Sequence, residues 1–157
     1  MIDLRPATAA DQKRIEAIIR AARINPFDLK WPHFTLAIET ASGEIVGTIQ
    51  VKTHGDGSHE LASLTVAPAW RGRGLARRLI EHVLATTPGA LYLTCRQSLG
   101  KLYSRFGFRA IVARDMPPYF RRLSRVAAAV GLFLRRQDTM LVMRRDEPAA
   151  GQHEALP

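Results

Sequence analysis

The sequence contains a single cysteine, Cys95, among its 157 residues. One thiol excludes a disulfide framework within the chain and a zinc site built on several cysteines. The histidines and carboxylates show no spacing typical of metal ligands, so no metal site is predicted. Low cysteine usage is typical of a reducing compartment, and we expect a cytoplasmic protein.

Long hydrophobic runs are also missing. The longest covers nine residues, from Val126 to Leu134, whereas a membrane-spanning helix needs about 20. The first ten residues contain no apolar core, so no secretory signal is predicted there. We therefore expect no stable insertion into a membrane.

Acidic residues are few, with 14 against 23 lysines and arginines, which gives a formal net charge of +9. Such an excess attracts nucleotide phosphates, nucleic acid or acidic lipid. An equally good explanation is a general abundance of arginine in a protein that binds none of these. The remaining composition is that of a globular protein, at 46% hydrophobic and 24% charged residues. It excludes wholesale disorder and predicts a domain with its own core.

Hydrophobic periodicity predicts strands and helices that do not alternate strictly. Strands are predicted at residues 2–5, 34–39, 44–52, 60–66, 90–95, 108–113 and 138–144. Helical spacing appears around residues 15–22, 75–84, 99–106 and 120–134. This order favours an α/β (α+β) fold with a mixed sheet flanked by helices. Residues 1–145 are predicted to form one domain, and residues 146–157 a disordered tail.

The most informative segment, VAPAWRGRGLA at residues 66–76, joins a predicted strand to a predicted helix. Gly72 and Gly74 allow a tight turn that brings backbone N–H groups inward. The first turn of the helix leaves further N–H groups unpaired, and the neighbouring arginines suit phosphate oxygens. The segment therefore predicts a phosphate cradle, with an ordinary glycine turn into a basic helix as the alternative.

This cradle belongs to neither of two common phosphate-binding motifs. A P-loop ends in Gly-Lys-Ser/Thr, which the segment lacks. A dinucleotide fingerprint needs a third glycine where Arg77 stands, and it usually follows the first strand of a domain.

Two motifs resemble those of the GNAT N-acyltransferase superfamily. The first, Arg/Gln-x-x-Gly-x-Gly/Ala, is matched by Arg71, Gly74 and Ala76. The second, Leu-Tyr-x-x-x-Gly-Phe, is matched by residues 102–108. Both stand in the order and at the separation usual in that family, and the predicted element order is similar across residues 1–145.

The resemblance implies a V-shaped sheet in which the strands at 60–66 and 90–95 splay apart. It implies acetyl-CoA as cosubstrate, with the pantetheine arm against the backbone of Leu64, Thr65 and Val66. A backbone N–H near Leu64 would polarise the thioester carbonyl. The pyrophosphate would rest on the amides of six consecutive residues: Arg71, Gly72, Arg73, Gly74, Leu75 and Ala76.

Acyl transfer to an amine needs a base for the amine and an acid for the leaving sulfur. The resemblance places Tyr103 at the general-acid position, with a purely structural core aromatic as the alternative. Glu60 is the candidate base, acting directly or through water, with a solvated glutamate at a strand end as the alternative. His54 and His59 are predicted to be loop histidines, and Cys95 a packed core thiol.

The segment at residues 114–136 is longer than a minimal connection between the last two strands. Its apolar positions and its arginines fall on opposite sides of a predicted helix. The pattern favours a helix packed on the sheet or on a second copy of the chain, which makes a homodimer possible. An interfacial helix on a membrane is less favoured.

The sequence therefore predicts a single-domain N-acetyltransferase that transfers acetyl from acetyl-CoA to a primary amine in a ternary complex. A non-catalytic CoA-binding module is one alternative. A basic peripheral protein on membranes or nucleic acid is another, although no aromatic stacking platform for nucleic acid is visible. The motifs do not identify the acceptor amine.

Overall fold

The computed structural model describes residues 1–133 and 138–148. Within these ranges the strands are β1 Ile2–Pro6, β2 Phe34–Glu39, β3 Ile45–Thr53, β4 His59–Val66, β5 Leu91–Arg96, β6 Arg109–Ala110 and β7 Met140–Arg145. The helices are α1 Gln12–Ala22, α2 Leu75–Thr86, α3 Gly100–Ser104 and α4 Pro118–Phe133. Short 3-10 turns occur at Ala9–Asp11, Trp31–His33, Pro68–Trp70, Gln97–Leu99 and Ala113–Asp115.

The strands form one mixed sheet in the order β1-β2-β3-β4-β5-β7-β6. Neighbouring strands are antiparallel except β4 and β5, which are parallel. A parallel pair needs a crossover connection, and α2 supplies it. The fold class predicted from the sequence is confirmed.

Strands β4 and β5 pair over only two positions, His59 with Leu91 and Glu60 with Tyr92. Strand β4 then continues to Val66 on the β3 side of the sheet. Strand β5 continues beside β7 instead. The two strands thus splay apart as predicted, and one edge of the β4 backbone is left without a neighbouring strand.

A bulge bends β4 at the start of this separation. In the β3–β4 ladder Thr48 pairs with Thr65 and Gln50 with Ala62, so that two residues of β4 stand opposite one of β3. Ser63 in this bulge adopts a left-handed φ of 55°. The Thr48 hydroxyl donates to the Ser63 carbonyl at 2.8 Å, and Gln50 Nε2 donates to Ser63 Oγ at 2.6 Å. These buried bonds stabilise a backbone conformation that costs about 1–3 kcal/mol.

The helices bury one face each against the sheet. The residues that enter the core are spaced by three or four positions, as in Ile15 and Ile19 on α1 and Leu75, Leu79 and Val83 on α2. The α1 residues pack with side chains of β2, and the α2 residues pack with side chains of β3, β4 and β5. The spacing seen in the sequence therefore reports the buried faces correctly.

Helix α4 packs on the sheet through its first turn, where Phe120 is fully buried and stacks on Tyr92 of β5 with ring centroids 5.2 Å apart. The helix predicted in this segment is confirmed, and it lies on the chain's own sheet. Its second half leaves three apolar side chains exposed, namely Val126, Val130 and Leu132. No helix in the described ranges is long and apolar enough to cross a bilayer.

The strand predicted over residues 108–113 is mostly wrong, because only Arg109–Ala110 is extended in the sheet. Phe108 and Ile111 are both buried although they are three residues apart. In a regular strand, residues three apart point to opposite faces of the sheet, so this pattern does not fit one continuous strand. The Arg121 guanidinium donates to two carbonyls of the following turn, at Ala113 and Met116. These two carbonyls are therefore bonded to α4 and not to a neighbouring strand.

The tail predicted for residues 146–157 falls mainly outside the described residues, which end at residue 148. Its first residues make contacts: Asp146 pairs with Arg109 and Arg144, and Glu147 accepts a bond from the Gly89 amide at 3.1 Å. Disorder of the remaining tail stays a prediction.

We expect Asp11→Asn to lower the free energy of unfolding by about 2 kcal/mol near neutral pH. The buried Asp11 carboxylate accepts two bonds from Arg5 and two from Thr8, and these hold its pKa well below the usual range. A lowered pKa stabilises the fold above the unfolded value, about 3.9, and the benefit disappears as the pH falls. Denaturant titrations should show the gap to wild type closing in acid, whereas Asp3→Asn at an exposed site should leave stability unchanged. A gap independent of pH would contradict the argument.

Candidate active site

A cavity of about 730 Å³ opens where β4 and β5 separate. Its walls come from β4, β5, Lys52 of β3, the end of α1 and the residues after it, the 3-10 turn before α3, and Tyr103 of α3. Both predicted catalytic residues, Glu60 and Tyr103, line it, although they are far apart in the sequence. Leu64 and Cys95 line it too.

Tyr103 lies on α3 and is only 9% exposed. Its ring packs edge-on against Phe108 with centroids 6.2 Å apart, so it belongs to the core and also borders the cavity. Burial, with a smaller contribution from the Cys95 thiolate charge, raises the pKa of Tyr103 to about 12. The phenol therefore stays protonated at neutral pH, as a hydrogen-bond donor or general acid must.

Glu60 stands near the start of β4 and is 6% exposed, so it is not a solvated residue at a strand end. Its Oε2 is 2.7 Å from Nε2 of His54. The carboxylate is thus fixed in orientation at the cavity wall. Its role as base stays a prediction.

His59 was predicted to be a loop histidine and instead begins β4. His54 lies in the turn between β3 and β4, as predicted, but it is not solvated. Its side chain is buried, stacks on Tyr119 with centroids 3.5 Å apart, and meets the edge of Phe120. Asp56 in the same turn accepts a bond from the Tyr119 amide at 2.9 Å. The β3–β4 turn is therefore covered by the start of α4, and His54 connects that helix to Glu60.

The glycine turn between β4 and α2 has the geometry expected of a phosphate cradle. Gly72 and Gly74 adopt left-handed φ values of 74° and 75°, and a Cβ at either position would meet no atom within 4 Å. Gly74 is the N-cap of α2, where no side chain caps the helix. The first amides of α2 therefore have no intrahelical acceptor and point a partial positive charge outward.

The arginines of this turn are partly engaged with the chain itself. Arg71 Nε donates to the Val66 carbonyl at 3.2 Å, which ties the turn to the end of β4. The Arg73 guanidinium lies 5.0 Å from the centre of the Trp70 ring. Leu75 anchors the start of α2 in the core. The predicted contacts of these residues with CoA stay predictions.

The residues present fit acetyl-CoA. The edge of β4 beside Leu64, Thr65 and Val66 lies on the side from which β5 has separated, and an arm with amide groups can bond to such an edge. The Thr65 hydroxyl is held 2.8 Å from that of Thr48, on the β3 side. The basic glycine turn follows directly and suits a pyrophosphate.

Residues 30–110 match a family model described as an acetyltransferase (GNAT) domain. This match covers just over half of the 157 residues. None of the curated proteins matches the chain.

Several solved structures share the fold. N-acetylglutamate synthase from Neisseria gonorrhoeae, solved with coenzyme A and N-acetyl-glutamate, superposes with a TM-score of 0.73 at 19% identity, over 94% of this chain and 35% of its own. A GNAT-family acetyltransferase from Staphylococcus aureus gives 0.67 at 20% identity, over 94% and 100%. The ribosomal-protein-S18-alanine N-acetyltransferase from Escherichia coli gives 0.67 at 16% identity, over 99% and 100%.

The chain spans about a third of the length of the gonococcal synthase and nearly all of the other two structures. The family match, the splayed parallel pair and the glycine turn agree with one another. The chain therefore belongs to the GNAT acetyltransferase family.

Proposed function

We propose that the protein is an N-acetyltransferase that transfers the acetyl group of acetyl-CoA directly to a primary amine in a ternary complex. One observation carries the proposal: Glu60 and Tyr103 line the same cavity, beside the free edge of β4. A base for the amine and an acid for the sulfur then stand on the walls of one site.

Acetyl-CoA supplies the acetyl group as a thioester when it is bound. The amide C–N bond forms as the thioester C–S bond breaks, so one proton leaves the amine and one reaches the sulfur. We assign Glu60 to accept the proton from the amine, directly or through water. We assign the Tyr103 hydroxyl to donate a proton to the sulfur. The backbone N–H near Leu64 is assigned to donate a hydrogen bond to the acyl oxygen and so polarise the carbonyl.

A thiol-release assay with acetyl-CoA and a panel of primary amines tests this function. We expect at least one amine to release stoichiometric CoA and to gain the mass of an acetyl group. Double-reciprocal plots should intersect, as they do when both substrates bind before either product leaves. Acetyl-CoA binding without thiol release for any amine would instead support a non-catalytic CoA-binding module.

We expect Cys95→Ala to keep turnover within about threefold of wild type. Cys95 borders the cavity, but burial and the charge of Asp138 raise the pKa of its thiol, which leaves little thiolate to act as a nucleophile. Steady-state kinetics check this. An acetylated wild-type enzyme in mass spectrometry, with parallel double-reciprocal lines, would contradict direct transfer.

We expect Glu60→Gln to lower turnover about tenfold near neutral pH and less at about pH 9. Glutamine keeps a partner for His54 but cannot accept the amine's proton. At higher pH more of the amine is already neutral, so the missing base matters less. A pH–rate profile measures the ratio of wild-type turnover to variant turnover. A ratio that grows with pH would contradict the assignment of Glu60 as the base.

A further inference from the structure

Lys52 is a buried lysine in the wall of the active-site cavity. It lies on β3, directly opposite Glu60 on β4, and is 4% exposed. Its ammonium donates to the Phe27 carbonyl at 3.0 Å. Residues this buried are seldom lysines unless a partner balances the charge.

Lys52 forms no ion pair in the part of the chain that the structure describes. The facing carboxylate of Glu60 is bonded to His54 at 2.7 Å. An ammonium has three protons, and the Phe27 carbonyl takes one of them. A buried ammonium without a direct ion pair is costly, so a ligand that brings an anion to this wall gains binding energy from it.

Two of the three other charged residues that line the cavity have the same sign as Lys52. The residues that line it include Arg23 and Arg96, both exposed, and Glu60 is the one carboxylate among the described lining residues. The cavity therefore favours an anion over a cation. The glycine turn at residues 71–76 does not line this cavity, so the cation is separate from the proposed pyrophosphate site.

The position of Lys52 limits the size of the anion's carrier. Residues directly opposite in an antiparallel ladder have Cβ atoms about 5 Å apart. An amine beside Glu60 and an anion beside Lys52 therefore belong to one small molecule, with few bonds between the two groups.

We propose that the acceptor is a short amine that carries a carboxylate, such as a free amino acid, and that Lys52 binds this carboxylate. The inference rests on the proposed function and names its substrate class. Carboxylate and ammonium form a charge-assisted hydrogen bond, and the low exposure of Lys52 keeps water from screening it. Polyamines and peptide N-termini, which bring no carboxylate close to the amine, should be poor acceptors.

The test compares the proteinogenic amino acids that have a primary amine, β-alanine and 4-aminobutyrate with their carboxamides as acceptors. For at least one amino acid, kcat/KM should exceed that of its carboxamide about tenfold or more. Lys52→Met should remove this preference by lowering kcat/KM for the amino acid about 10- to 100-fold, with little effect on the carboxamide and on acetyl-CoA affinity. Lys52→Arg should restore part of the preference, and Lys13→Met, on the exposed face of α1, should change nothing.

A binding measurement separates this inference from the proposed function. Calorimetry with CoA-loaded protein compares each N-acetyl-amino acid with its carboxamide and needs no turnover. Tighter binding of the N-acetyl-amino acid than of its carboxamide, lost in Lys52→Met, supports the carboxylate site. It does so even if no amine is acetylated. The absence of acetylation would overturn the proposed transferase function alone. The inference would be overturned if carboxamides react and bind as well as the amino acids do. It would also be overturned if folded Lys52→Met lowers kcat/KM equally for both.

Discussion

Replacing Gly74 by aspartate should weaken acetyl-CoA binding about 100-fold or more. Gly74 has a φ of 75° and caps the start of α2, where unpaired amides carry partial positive charge. An aspartate there adds a carboxylate where the pyrophosphate should lie, and it can bond to the same amides in place of the ligand. A loss of two powers of ten is about 2.7 kcal/mol, within reach of one like-charge contact combined with lost hydrogen bonds. Titration calorimetry with acetyl-CoA measures it.

Two further variants separate charge from backbone strain. Gly74→Ala requires the same left-handed backbone without a charge, so it should cost about 1 kcal/mol in stability and much less affinity. Gly43→Asp introduces the same side chain at a φ of 70°, also with no atom within 4 Å, in the turn between β2 and β3. It should leave acetyl-CoA affinity unchanged. An unaltered dissociation constant for folded Gly74→Asp would show that the cofactor lies elsewhere.

The sequence predicted those parts of the site that local patterns specify. The glycine turn, the strand before it and the helix after it are adjacent in the chain, so residues 60–76 carry their own signal. The buried face of α2 follows from the spacing of Leu75, Leu79 and Val83. Tyr103 was selected through its motif, and the structure adds its burial, which raises the pKa of its hydroxyl to about 12. Its role as general acid stays a prediction.

The missed parts depend on contacts between distant segments. The antiparallel pairing of β3 and β4 brings the end of β3 near Glu60, but the burial of His54 needs Tyr119 and Phe120 from α4. Burial of Lys52 similarly depends on the loop that presents the Phe27 carbonyl. The sequence near His54 and Lys52 does not indicate these distant contacts. A histidine or lysine at a hairpin is usually solvated.

Replacing Tyr103 by phenylalanine should lower turnover about 100-fold while acetyl-CoA affinity changes little. The ring and its packing against Phe108 remain, and only the hydroxyl at the cavity is lost. The expected loss lies at the low end of the range for a general acid because a phenol whose pKa is raised to about 12 gives up its proton reluctantly. Much of its effect then comes from the hydrogen bond it donates to the departing sulfur. Steady-state kinetics, calorimetry and a melting curve on one preparation measure all three quantities.

The matched control is Tyr92→Phe, because Tyr92 is 8% exposed against 9% for Tyr103 but lies outside the residues that line the cavity. It should change stability by roughly 1 kcal/mol and leave turnover unchanged. The pH profile adds a second criterion. Since the pKa of Tyr103 is raised, its hydroxyl remains protonated up to about 12, and the ratio of wild-type to Tyr103→Phe turnover should stay constant between about pH 8 and about pH 10. A ratio that shrinks across this range means that the hydroxyl loses its proton within it, and full turnover in the variant means that the sulfur leaves without help from Tyr103.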